Sequence, residues 1–388
     1  MKTKLYLLGG ALSVLAALVT IFSPPTDLIS PLGDPLATNV SHLASKSYVV
    51  LGFAPYWNLK KISPESLGSI THFAYFNLHL NDNGSLYTKV NAREEDPGYT
   101  NYKRLLSGTI DHGGKPLIIT FMPESQDALT NSLATSKSRQ NTITTILNVV
   151  KQSGAAGVNI DYEPLGDTPP SVRDNFSLFI LALRTQLDDL ESLDRLEKLL
   201  TISTYASVAS RPRIWDLASL TAHTDYFVIM TYDYTMPGSN LAGPTSPLRG
   251  AGQLFEHDIV KNIAEITALV PAEKVLLGIP FYGYEWDTVD ASKYAPVESR
   301  GSVASLERIE QMLADKTLEL IWDRNSLTPY GISSDSGKIS QIYFENEASV
   351  RLKLDFVKSA GLGGIAIWAL GYEGSTTWIW PTITQLHR

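Results

Sequence analysis

Eight short apolar runs, separated by segments with helical spacing, constrain the fold of this chain more than any other feature. They are "VVLGFAP" (49–55), "ITHFAYFN" (70–77), "PLIITFM" (116–122), "GVNIDYE" (157–163), "LLTISTY" (199–205), "YFVIMTYD" (226–233), "VLLGIPFY" (275–282) and "GGIAIWAL" (363–370). Between them Ser136–Ser153, Val172–Leu193, Leu254–Val270 and Ala348–Ala360 space their apolar residues as helices packed on a sheet do. Eight strands alternating with helices predict an α/β protein, a (β/α)8 TIM barrel. An open doubly wound sheet would carry a glycine-rich phosphate loop after its first strand, and "APYWNLKK" is not one. The connection from Tyr282 to Ala348 is too long for a structureless loop and contains strand-like "LELIWD" (318–323) and "KISQIYF" (338–344). It predicts a small α+β insertion at about 284–347, between strands seven and eight.

The body of the barrel is expected over 48–388. Ahead of it, Lys2 and Lys4 precede an apolar run, Leu5–Phe22, at the short end of what spans a bilayer, and no small-x-small cleavage site follows. This favours an uncleaved membrane anchor over a cleaved signal. The Pro/Ser/Thr-rich stretch through Ser47 reads as a linker. The body should then lie on the extracellular face of the membrane, or be secreted if the segment is cut.

A net charge of −8 with no cluster of Lys and Arg excludes nucleic acid as a partner. The chain has no Cys, no G-x-S-x-G and no H-E-x-x-H, and its seven His are scattered. No cofactor and no metal are expected, and a monomer is.

The fourth run carries the chemistry. Asn159, Asp161 and Glu163 stand at every second position, so they share one face of a strand while Val158, Ile160 and Tyr162 take the other. Such a polar face is costly to bury without partners, so it is either a structural polar network or a site. Barrel enzymes place reacting groups at the C-terminal ends of strands, where Glu163, Tyr232, Asp233, Tyr282 and Trp368 fall. Carboxylates with aromatic walls suit a sugar: an acid protonates the glycosidic oxygen and flat rings stack on pyranose faces. Asp161 and Glu163 are neighbours on one strand and cannot flank a scissile bond from opposite sides. With Glu163 as acid, the nucleophile can be the substrate's own 2-acetamido oxygen, giving an oxazolinium. Asp161 would then accept the acetamide N–H and, as a like charge, help keep Glu163 protonated.

"AGVNIDYE" resembles the strand-four signature of glycoside hydrolase family 18, D-G-x-D-x-D-x-E, and "MTYD", "GIPFYG" and "GGIAIW" are similar to its motifs on strands six, seven and eight, in order. The resemblance implies acid/base Glu163, orienting Asp161, Tyr232 bonding the acetamide carbonyl and Trp368 as the floor beneath the reacting sugar. Met230, Asp233 and Tyr282 would line the pocket. Trp57 would sit at outer subsites, and Tyr56 beside it either joins them or packs the barrel mouth. Asn159 replaces a signature Asp; it is expected to hydrogen-bond Asp161 without relaying a negative charge. Strand three has "ITFM" in place of S-x-G-G, which argues against a long processive chitin groove. "GFAPYW", "GVNID" and "GPTSPL" (243–248) are similar to bacterial spore-cortex N-acetylglucosaminidases, although no wall-binding repeat accompanies them. The implied activity is retaining hydrolysis of β-1,4-linked N-acetylglucosamine glycans, peptidoglycan and chitin oligosaccharides both remaining open. A chitin-binding, lectin-like relative would be expected to lack Glu163, and it is present.

Overall fold

The computed structural model describes residues 47–252, 255–335 and 337–387. The apolar run and linker of residues 1–46, where a membrane anchor is expected, lie outside the described residues. Among the described residues no helix is long and apolar enough to cross a membrane.

Eight parallel strands close into a barrel: β1 (Val49–Pro55), β2 (His72–Leu80), β3 (Leu117–Pro123), β4 (Gly157–Ile160), β5 (Leu199–Tyr205), β6 (Tyr226–Met230), β7 (Val275–Pro280) and, last in the chain, β13 (Gly364–Trp368). They follow one another round the ring in chain order, and β13 returns to pair β1 at Val49↔Gly364. This is the expected (β/α)8 barrel.

The delivery of β4 shows how sequence sets position. Helix Ser136–Ser153 starts in a capping box between Thr135 and Ser138 and buries Ile143, Ile146, Val149 and Val150 on one stripe. Gly154, with φ 64°, closes it in the left-handed conformation that glycine adopts without cost. Gly157 then opens β4 so close to β5 that a Cβ there would lie 2.4 Å from the Leu199 carbonyl oxygen. Val158, Ile160 and Tyr162 join the core between barrel and helices, as the alternation requires.

Three runs end earlier than their apolar character suggests. β4 stops at Ile160, although the Asp161 N–H still bonds the Phe121 carbonyl at 3.0 Å. β6 stops at Met230 because the Thr231 N–H turns back onto the Ile229 carbonyl and Asp233 has φ 61°, outside the range of a strand. The seventh run breaks at Phe281, whose N–H bonds the Trp368 carbonyl, and a new strand starts at once. The helix expected from residue 254 begins at Ile259, where the Asp258 side chain caps it.

That new strand, β8 (Tyr282–Thr288), opens the insertion. With β9 (Ser302–Ser305), β10 (Glu319–Asp323), β11 (Thr328–Asp335) and β12 (Lys338–Tyr343) it forms an antiparallel sheet in the order β10-β11-β12-β8-β9, joined by helix Leu306–Ala314. Its core is aromatic: Tyr282, Tyr284, Trp286, Tyr330 and Tyr343 cluster, with Tyr330 stacked on Tyr343 at 5.0 Å. Beneath it Lys353 and Glu345 form a 2.6 Å ion pair, both side chains fully buried.

Candidate active site

The C-terminal ends of the barrel strands surround a cavity of about 220 Å³. Asp161 and Glu163, which follow β4, line it together with Met230 at the end of β6, Tyr232 and Asp233 just after it, Tyr282 on β8 and Trp368 at the end of β13. Seven of the ten residues singled out in the sequence therefore meet in one place. Trp368 forms an aromatic wall with Phe76 at 4.6 Å and Phe53 at 5.9 Å, both edge-on or tilted. Trp57 is outside the cavity but adjoins this wall, 6.4 Å from Trp368, half-exposed, its Nε1 donating to the Tyr372 hydroxyl at 3.3 Å. Tyr56 packs edge-on against Trp57 and joins the main core; it does not reach the cavity.

Asn159 also lies outside the cavity, and its expected bond to Asp161 is not made. Register explains this: Asn159 is level with Thr201 on β5, one full step below Asp161. Its Nδ2 donates to the Ser203 hydroxyl at 3.0 Å, and its Oδ1 accepts from Thr201 at 2.8 Å. Ser203 lines the cavity and lies close enough to Asp161 to pull its raised carboxyl back. Asn159 thus acts through Ser203 as part of the floor.

Ser203 and Tyr205 were missed in the sequence, although "LLTISTY" places Thr201, Ser203 and Tyr205 at the same two-residue period as the carboxylates of β4. The Tyr205 hydroxyl donates to the Pro164 carbonyl at 3.4 Å and lies close enough to Glu163 to favour its carboxylate. Tyr284, Val303 and Tyr372 come from the insertion and the loop after β13, and Phe53 and Phe76 read as core in any sequence pattern. Gln126 holds the segment after β4 from behind: its Nε2 donates to the Glu163 carbonyl at 2.9 Å, and its Oε1 accepts from the Leu165 N–H at 3.0 Å.

Three carboxyl groups share this buried space, and burial raises all three above the usual carboxylate range. Asp161 is raised furthest, first by desolvation and then by the Glu163 charge. Glu163 is raised by desolvation and by Asp233, while the Tyr205 hydroxyl pulls it back. Asp233 is raised by desolvation but steadied by two donors, Tyr282 and Tyr284, the latter at 2.8 Å to the same Oδ1. Two adjacent carboxyls that resist joint ionisation keep a proton between them to higher pH than either would alone. The Oδ1 of Asp161 is buried with no hydrogen-bond partner in the protein. A buried acceptor of that kind is rare unless something else supplies the donor.

Residues 49–373 match the family model of glycosyl hydrolases family 18. The chain belongs to that family. Among curated relatives of this family 18 chain, chitinase A1 of Niallia circulans is 26% identical over 272 residues, covering 63% of this chain and 38% of that protein. A cortical fragment-lytic enzyme of Bacillus anthracis is 24% identical over 241 residues, covering 61% of this chain and 51% of that one. The match thus spans about half or less of the length of these relatives. Among solved structures, a family 18 N-acetylglucosaminidase of Paenibacillus barengoltzii superposes with a TM-score of 0.72 at 22% identity, covering 88% of this chain and all (100%) of that one. A class V chitinase of Nicotiana tobaccum gives 0.75 at 20% identity, covering 88% and 99%. At such identities the superpositions speak for the shared fold.

Proposed function

We propose that this family 18 protein hydrolyses β-1,4-linked N-acetylglucosamine-containing glycans with retention of configuration, the substrate's acetamido group serving as nucleophile. The observation that carries the reading is the unpaired Asp161 Oδ1 in an aromatic cavity, beside Glu163, whose carboxyl pKa is raised by burial. A sugar seated on Trp368 would present its acetamide N–H to Asp161. Glu163 donates its proton to the glycosidic oxygen as the acetamide oxygen bonds the anomeric carbon and the C–O bond to the leaving sugar breaks. Asp161 holds the N–H and stabilises the oxazolinium's positive charge, while Tyr232 steadies the acetamide oxygen. Glu163, now a carboxylate, takes a proton from water as that water opens the ring and restores the acetamide. Relatives named as a chitinase and as a cortical fragment-lytic enzyme support the substrate class. The apolar run Leu5–Phe22 supports action outside the cytoplasmic membrane.

Glu163→Gln tests the assignment, because the amide keeps the shape but has no acidic proton. Hydrolysis of chitooligosaccharides should fall by roughly a hundredfold or more while saccharide binding persists. Turnover within tenfold of the parent would refute it.

A further inference from the structure

The cleft continues past Glu163. A second lobe of about 660 Å³ shares Glu163 and Tyr232 with the first and is walled further out by Tyr205, Arg213, Phe255 and His257. On the mechanism proposed above, the first lobe holds the sugar that keeps the anomeric carbon. The second, on the far side of the acid, receives the sugar that leaves.

Arg213 is the unusual group in this lobe. Its Nε and Nη1 are both buried and have no hydrogen-bond partner. The guanidinium lies over the Tyr205 ring, its carbon 4.4 Å from the centroid, on a residue whose φ of 47° falls in the left-handed region. No carboxylate of the described residues pairs with it. Asp167, which contributes to its field, is taken by Arg211 at 2.7 Å. Glu163 makes no ion pair with Arg213, and Asp233 is engaged by two tyrosines. Two buried guanidinium N–H groups without acceptors are costly, and each forms with Nη2 one edge of the guanidinium fork, the shape that receives a carboxylate.

We infer that Arg213 recognises a carboxylate on the leaving sugar, so that the substrate is a glycan whose unit beyond the cleaved bond bears an acidic ether, as the 3-O-lactyl group of N-acetylmuramic acid is, in preference to uncharged chitin. This rests on the glycosidase reading above. Because Arg213 also stacks on Tyr205, and Tyr205 lies beside the acid and tunes it, its replacement will disturb turnover of any substrate. The informative readout is therefore a ratio.

The experiment compares kcat/KM on alternating N-acetylglucosamine–N-acetylmuramic acid strands, with peptides removed, against the same strands with the lactyl carboxylate converted to its methyl ester. The wild-type protein should prefer the free carboxylate by roughly tenfold to a hundredfold, the worth of a charge-assisted hydrogen bond. Arg213→Met should bring that ratio close to one, and Arg213→Lys should leave an intermediate value. A wild-type ratio near one, or a preference that survives in Arg213→Met, would overturn the inference. Chitooligosaccharide turnover alongside a ratio near one overturns this inference alone. A wild-type protein inert towards both kinds of glycan overturns the glycosidase reading and this one with it.

Discussion

Replacing Asn159 by Asp restores the residue of the family signature but, in this protein, puts a carboxyl where the surroundings are built for an amide. The site is fully buried, and the amide both donates to Ser203 and accepts from Thr201. A protonated Asp reproduces that pattern, its O–H replacing the amide donor, so the variant should be within about 1 kcal/mol of the parent at low pH. In the unfolded chain the same group ionises with a pKa of about 3.9. In the folded protein, burial and the neighbouring Asp161 and Glu163 oppose ionisation, so its folded pKa is raised. A raised carboxyl costs nothing below its unfolded pKa, and the cost then grows with pH by about 1.4 kcal/mol per unit until the folded pKa is reached. With a folded pKa above about 6.5 this amounts to roughly 3.5 kcal/mol at that pH, a large share of the roughly 5–15 kcal/mol that holds an ordinary domain together. Urea unfolding of parent and variant at about pH 4 and about pH 6.5, followed by tryptophan fluorescence, gives the two differences directly. A destabilisation equal at both pH values would show that residue 159 is not sealed from solvent beside Asp161 and Glu163, and would refute the reasoning.

Two further outcomes follow from the same structure. Tyr284→Phe removes one of the two donors to Asp233, whose carboxyl then keeps its proton to higher pH; with less negative charge near Glu163, the alkaline limb of the activity profile should move to lower pH by less than about one unit, read from kcat/KM against pH. Lys353→Met leaves Glu345 buried without its partner, and unfolding at neutral pH should show a loss of about 3–5 kcal/mol that shrinks as acid protonates Glu345, whose pKa burial has already raised.

The barrel was legible because its strands are buried on both faces and so read as continuous apolar runs; β1 and β5 have the bounds expected, and β13 lies within its run. The insertion was legible only in part. "LELIWD" and "KISQIYF" announced β10 and β12, but the apolar character of β8, β9 and β11 is interrupted by Gly, Ser, Pro and acidic residues, and they were not seen. At the site, the period of two exposed Asp161 and Glu163, and the same period in "LLTISTY" would have yielded Ser203 and Tyr205 had it been applied there. Asn159 was misplaced by treating same-face residues as touching: neighbours on one face stand almost two residue rises apart, and the Ser203 hydroxyl fills the interval. Arg213 and Tyr372 sit in loops, or beside a turn, and Val303 on a strand of four residues, too short for a period to betray which way they face.

The central claim is that the nucleophile belongs to the substrate. It is tested most directly by aryl β-glycosides of N-acetylglucosamine, or of its chitobiose, in which the reacting sugar's N-acetyl group is replaced in turn by mono-, di- and trifluoroacetyl. Fluorine drains the carbonyl oxygen's nucleophilicity while leaving the sugar's shape and its amide N–H for Asp161. If the acetamide attacks, kcat should fall steeply along the series, on the order of a hundredfold or more in all. A kcat that stays level from acetyl to trifluoroacetyl would contradict the account and turn attention to a protein carboxylate, with Asp233 first in line.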